Sequence, residues 1–232
     1  MKTYLEFINE VVNFDKLKKN INFLEDLNNC AKEISKGNGQ FSSFWTVMKK
    51  YPDILKKDEI QKAGNFEADL HNRNKIPKKI TITQSLYLWM KEIDEIEKKL
   101  GTIENFTDWF FNKEIELYRG FPTSKYYTKS GIWKSYDEEE THESLIESES
   151  EYKSFSMKLD TAINFTQSDW VNRGWKNDKE RNGWIVKTKI KPCDVHMFNN
   201  AGYELECILK HPVKYIGYLK ITESKIAKDI NY

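Results

Sequence analysis

The chain has 232 residues and a mass of 27.6 kDa, the size of one substantial domain or two small ones. Apolar residues at 39%, charged at 31% and aromatic at 14% make a polar but ordinary globular composition, with ample Trp, Tyr and Phe for a core. Lys and Arg (37) against Asp and Glu (36) leave a formal charge of +1, which excludes a uniformly basic coat for nucleic acid but not a local basic patch.

Taken in chain order, the first half reads as helical. Residues 1–19 are amphipathic and lack the apolar stretch and small-residue cleavage site of a leader peptide. Tyr4, Phe7, Ile8, Val11 and Val12 recur at three- and four-residue spacing, and Leu17, Ile21, Leu24 and Leu27 continue the stripe. Gly37-Asn38-Gly39 predicts a helix-ending turn; neither a Walker A loop nor GxGxxG is present. A second helix is expected from Ser42 to about Lys50, then Pro52 and a polar helix around 54–62. Pro77 with Lys75, Lys78 and Lys79 marks a loop. Residues 83–100 predict the cleanest helix, with Leu86, Trp89, Met90, Ile93, Ile96 and Leu100 on one face and Gly101 at its end. A short aromatic helix over 107–112 follows.

The pattern changes near residue 114. Residues 116–121 predict a short strand broken by Pro122. Residues 137–151 hold eight acidic side chains, which reads as a solvated loop or flap, with a docking site for a basic partner as the narrower reading. Residues 152–157 are β-like, 160–166 have helical spacing, and 183–190, 203–209 and 213–219 read as strands. Helices first and strands later predict an α+β fold with an antiparallel or mixed sheet. No apolar run reaches the length of a membrane span, so no membrane partner is expected. Cys30, Cys193 and Cys207 include no CxxC pair and read as the reduced thiols of a cytoplasmic protein. Cys193 and His196 have CxxH spacing but no second half-site follows, so no metal is expected.

Three short elements carry chemistry. On residues 203–209, alternation places Glu204, Glu206, Ile208 and Lys210 on one face and Tyr203, Leu205, Cys207 and Leu209 on the other. Two carboxylates about 7 Å apart at their backbones repel and raise each other's pKa unless something uses them. Alone, they read as a solvent-facing strand with Lys210 as partial compensation. Arg119 lies inside the apolar strand Tyr118-Arg119-Gly120-Phe121, where a guanidinium is costly without an anion. Ser154-Phe155-Ser156 opens a third element, followed by residues of helical spacing that end at Phe165.

Arg, then Ser-x-Ser, then Glu-x-Glu, in that order, resembles the Arg-Ser-Glu class of mono-ADP-ribosyltransferases, which includes clostridial toxins, phage relatives and vertebrate ecto-enzymes. The resemblance covers residues 114–221. Phe155 departs from the usual central Thr of Ser-Thr-Ser, while both serines remain.

The resemblance implies NAD as ADP-ribose donor and a catalytic core (113–232) of two crossed antiparallel or mixed sheets, on which the helical N-terminal region read from the spacing (1–112) is expected to pack in an α+β fold. It assigns Glu206 to the ribose 2′-hydroxyl and the developing cation, and Ser154 to fixing that glutamate. Arg119 matches the phosphate-binding Arg, Gly120 would approach the nicotinamide amide, Ser156 would complete the NAD site, and Phe165 would stack on the nicotinamide. Asn200, Gly202 and Tyr203 fall in the turn that touches the acceptor. A Glu at position 204 goes with arginine acceptors in the family, so protein arginine is favoured. Trp175–Trp184 and Lys75, Lys78 and Lys79 are the features that suit a nucleic-acid acceptor. An NAD glycohydrolase and an inactive binding module of the same fold remain as alternatives. The N-terminal helices have three candidate roles: covering the cleft, recognising the target, or binding a neutralising partner protein, as a bacterial toxin or phage effector would require.

Overall fold

Asn20 breaks the helical path between residues 17–19 and Ile21. Its side-chain Oδ1 accepts from the Phe23 N–H at 3.1 Å, capping α1 (Ile21–Ser35). The break shifts the apolar phase. Leu17, Phe23, Leu27, Cys30 and Ala31 are buried, whereas Ile21, expected on the stripe, is 69% exposed. A computed structural model describes residues 17–37, 42–52, 79–122, 126–127, 133–134, 152–167, 183–199, 204–210, 212–222 and 225–231. The stripe at residues 4–12, the helix at 54–62, the basic loop at 75–78 and the acidic run at 137–151 lie outside the described residues.

The chain divides into two compact units, residues 1–113 with 191–198, and residues 114–190 with 199–232. The first is helical. After α1, Gly37 takes a positive φ of 69°, the helix-ending turn the sequence predicts. Next come α2 (Ser42–Lys50), α3 (Ile82–Lys91), α4 (Ile93–Leu100) and α5 (Phe106–Asn112). Thr81 and Gln84 form a reciprocal capping box at the start of α3. The single helix expected over 83–100 is two. Glu92 leaves helical geometry (φ −107°, ψ 18°), which no Gly or Pro signals. Ile93 and Ile96 remain buried, but Leu100 is exposed. The core is aromatic: Trp89 stacks on Phe198 (centroids 4.1 Å, 13°) and meets Trp109 edge-on, while Phe106 stacks on Phe110. Phe198 reaches it because residues 191–198, including the 3₁₀ turn Pro192–Asp194, belong to this unit. Among the described residues no helix is long and apolar enough to cross a membrane.

The second unit carries β1 (Ile115–Pro122), β2 (Tyr126–Tyr127), β3 (Trp133–Lys134), β4 (Tyr152–Ser156), α6 (Leu159–Gln167) and β5 (Gly183–Ile190). The chain returns through β6 (Met197–Asn199) and continues in β7 (Glu206–Lys210), β8 (Gly217–Thr222) and β9 (Lys225–Asn231). The protein is thus α+β. The sheet order is β6-β7-β4-β1-β5-β8-β9, and β2 pairs with β3 separately. The β1–β4, β1–β5, β4–β7, β5–β8 and β8–β9 ladders are all antiparallel. Ala162 of α6 and Ile185 of β5 are buried against Tyr118, Leu159 and Ile163, which fixes α6 to the sheet.

Where the resemblance implies two crossed sheets, the backbone ladders join into one. The join is narrow. β1 pairs with β5 over eight positions but with β4 at one, Tyr118 opposite Ser156. Pro122 closes β1 as its last paired residue, opposite Gly183, rather than interrupting the strand. The strand expected over 203–209 starts three residues later, at Glu206, and the one expected over 213–219 starts at Gly217.

Candidate functional site

In register, Arg119 and Gly120 would continue the β1–β4 ladder opposite Phe155 and Ser154, but the ladder stops at Tyr118 and Ser156. The Arg119 guanidinium takes the place of a backbone donor there, its Nη1 donating to the Ser154 carbonyl at 2.8 Å. A cleft of about 350 Å³ opens at this parting of the strands, within the range of small-ligand pockets. It is lined by Tyr118, Arg119 and Gly120 of β1, by Ser154, Phe155 and Ser156 of β4, and by Phe165, Glu204 and Glu206. Every catalytic and donor-binding residue expected from the sequence is therefore in one cleft.

The β4–β7 ladder positions the serine and the glutamate. Ser154 is opposite Ile208 and Ser156 is opposite Glu206, so Ser154 is diagonal to Glu206 on the same face. At that separation a short hydroxyl meets a long carboxylate, and Ser154 Oγ donates to Glu206 Oε1. Asn199 Nδ2 lies 3.5 Å from Glu206 Oε2, so both oxygens face donors. Ser156 behaves differently. Its buried hydroxyl donates to the Glu204 carbonyl (2.6 Å) and accepts from the Lys158 N–H (2.9 Å).

The alternation expected through Glu204-Leu205-Glu206 fails at its centre. Leu205 is fully buried with φ of 48°, the left-handed region that a bulky residue rarely enters. Glu204 therefore lies outside the strand, while Glu206 opens it. Both glutamates still line the cleft. Burial, and then the charge of Glu206, raises the Glu204 carboxyl above its ordinary pKa. Burial lowers the Arg119 guanidinium, with Tyr215 and Glu206 acting the other way. Phe165, 47% exposed on α6, offers a ring at the rim.

On the opposite face of β4 lies a group that sequence reasoning missed. Lys153 is buried, its ammonium 6.0 Å from the Tyr215 ring centroid, and Phe155 packs on the same ring at 6.3 Å. A lysine in a strand reads from sequence as solvent-facing, so nothing signals it. Burial and the nearby Arg119 charge lower its pKa.

Asn200, Gly202 and Tyr203, the expected acceptor turn, and most of the aromatic–basic stretch 175–184 lie outside the described residues. Cys193 Sγ rests against the Phe111 carbonyl (3.8 Å) and Asp194 (3.7 Å). Among the described residues no three His, Cys, Asp or Glu gather as a metal-ligand set. No family model, curated protein or solved structure matches the chain.

Proposed function

We propose that the chain is a mono-ADP-ribosyltransferase that uses NAD as donor and a protein arginine as acceptor. The observation that carries this reading is the convergence of Arg119, Gly120, Ser154, Phe165, Glu204 and Glu206 on one cleft. The Ser154–Glu206 hydrogen bond sits inside it. The narrow β1–β4 join also supports reading the sheet as two halves that meet at the cleft, the arrangement the resemblance implies.

In this reading Arg119, the one cation among the described residues that line the cleft, supplies a half-buried, planar charge for a phosphate of the donor. Gly120 lets the donor's amide approach the backbone, and Phe165 provides a face for the nicotinamide ring. Glu206, its rotamer fixed by Ser154, holds the ribose 2′-hydroxyl and stabilises positive charge as the bond from C1′ to the nicotinamide nitrogen breaks. Nicotinamide leaves with that electron pair. Glu204 takes a proton from the acceptor guanidinium, whose nitrogen then bonds to C1′. The raised pKa of Glu204 suits a base of this kind, because it accepts a proton more readily than an ordinary glutamate.

The test is incubation of the purified protein with labelled NAD and a cell lysate, followed by separation into protein and nucleic-acid fractions. Label in protein that is absent with Glu206→Ala and with Glu204→Gln is the expected result. Label in nucleic acid replaces the acceptor, and free ADP-ribose alone makes the protein a glycohydrolase. No NAD consumption by the folded protein overturns the reading.

A further inference from the structure

The two serines of Ser154-Phe155-Ser156 face the same cleft but hold different things. Ser154 reaches the carboxylate of Glu206. Ser156 reaches the backbone of Glu204 instead, and its one proton is spent on that carbonyl. A lone pair of the same oxygen receives the Lys158 N–H, which fixes the hydroxyl from the other side. One residue further on, the Met157 N–H donates to the Leu205 carbonyl at 3.2 Å. Consecutive carbonyls, of Glu204 and Leu205, are thus gripped by consecutive residues at the exit of β4. Between the two carbonyls sits Leu205, the one non-glycine residue with positive φ among the described residues. Such a conformation persists only where its surroundings impose it.

We infer that Ser156 is a positioning residue for Glu204, and that the Ser156–Met157 grip on the left-handed Leu205 backbone holds the Glu204 carboxyl in the cleft beside Glu206. A regular strand would carry residues 204 and 206 on one face as equivalent positions in the ladder. The left-handed residue makes them inequivalent. Glu206 is locked into the ladder opposite Ser156, and Glu204 stands outside it, its carbonyl held by the Ser156 hydroxyl. Among the described residues, the charged and titratable groups that line the cleft with Glu204 are Glu206, Arg119 and Tyr118. Drawing Glu204 away from the cleft weakens both influences that raise its pKa, burial and the Glu206 charge.

The consequence for catalysis rests on the transferase reading, but the structural claim is measurable without it. The experiment is a carboxyl-carbon NMR titration of the full chain labelled at glutamate Cδ, with Glu204 assigned through Glu204→Gln. The wild type should show Glu204 titrating above the ordinary glutamate range. Ser156→Ala should move it down toward that range, and Ser156→Thr, which keeps the hydroxyl, should hold the wild-type value. If Ser156→Ala leaves the titration unchanged, or if threonine behaves as alanine does, the proposal fails. Amide exchange in the wild type covers the case in which Ser156→Ala does not fold. Protection of the Lys158 and Met157 N–H groups is expected, and exchange at free-amide rates at both overturns the grip. Under the transferase reading, Ser156→Ala also lowers kcat for transfer by up to roughly 10²-fold, more than it raises KM for NAD. A wild-type protein that consumes no NAD sinks that reading and leaves the titration to judge the inference.

Discussion

Ser154 and Glu206 stand diagonally across the β4–β7 ladder, and the serine hydroxyl donates to Oε1 of the glutamate. The strand register, rather than any loop, fixes this pair. A glutamate held in this way keeps one rotamer before a ligand arrives, which is the preorganisation that stabilising a developing cation requires.

Removing that hydroxyl with Ser154→Ala should cost about 1.5–3 kcal/mol of stability, the ordinary worth of a hydrogen bond to a charged group. Nicotinamide release should fall by more than that loss of fold accounts for, mainly in kcat. Thermal melting beside steady-state kinetics separates the two effects.

Arg119→Lys should not rescue the arginine. An ammonium keeps the charge but lacks the planar fork that, on the transferase reading, spans the Ser154 carbonyl and an incoming phosphate. Calorimetry should show NAD binding weakened about tenfold or more in Arg119→Lys, the equivalent of roughly 1.4 kcal/mol. Equal affinity in the two proteins would remove Arg119 from the anion site.

Glu204 gives a pH signature with a definite sign. Its folded pKa is raised, so the folded protein holds this proton more tightly than the unfolded chain does. Its contribution to stability is full below the ordinary glutamate value of about 4.3 and is lost as pH rises through the raised value. The melting temperature of Glu204→Gln relative to wild type should therefore increase over that window. On the transferase reading, the acid limb of the transfer rate should lie above the ordinary glutamate range, since Glu204 as base must first lose its proton.

The thiols should be slow to react at neutral pH. Burial and Asp194 push Cys193 up to about 11, and burial raises Cys30 and Cys207, the latter well above its ordinary value. Alkylation of the native protein followed by mass spectrometry should find little modification at pH 7.5 and faster reaction at Cys193 as pH rises. Rapid neutral labelling of Cys193 would contradict its placement.

Much of this was legible in the sequence where one local signal dominates. The helix at Ser42–Lys50 and the strand at Gly183–Ile190 match their expected limits, because spacing and alternation alone define them. The residues of the cleft were legible as an ordered set of three short motifs. What escaped depends on backbone geometry without a sequence marker. Glu92 interrupts a helix although glutamate is a good helix former, and Leu205 takes a conformation usually left to glycine. Asn20 re-phases an apolar stripe that looks continuous on a helical wheel. Lys153 is buried where a strand lysine would be read as solvated, since the Tyr215 ring that faces it is brought there by the tertiary fold.

The excursion of residues 191–198 has a bearing on synthesis. The helical unit is encoded almost entirely before the sheet, yet Phe198, which stacks on Trp89, belongs to its core. A nascent chain that has just completed α5 still lacks that ring and cannot seal the aromatic cluster. Both units must therefore finish late, and the ribosome has to deliver most of the strands before the first helices are fully packed.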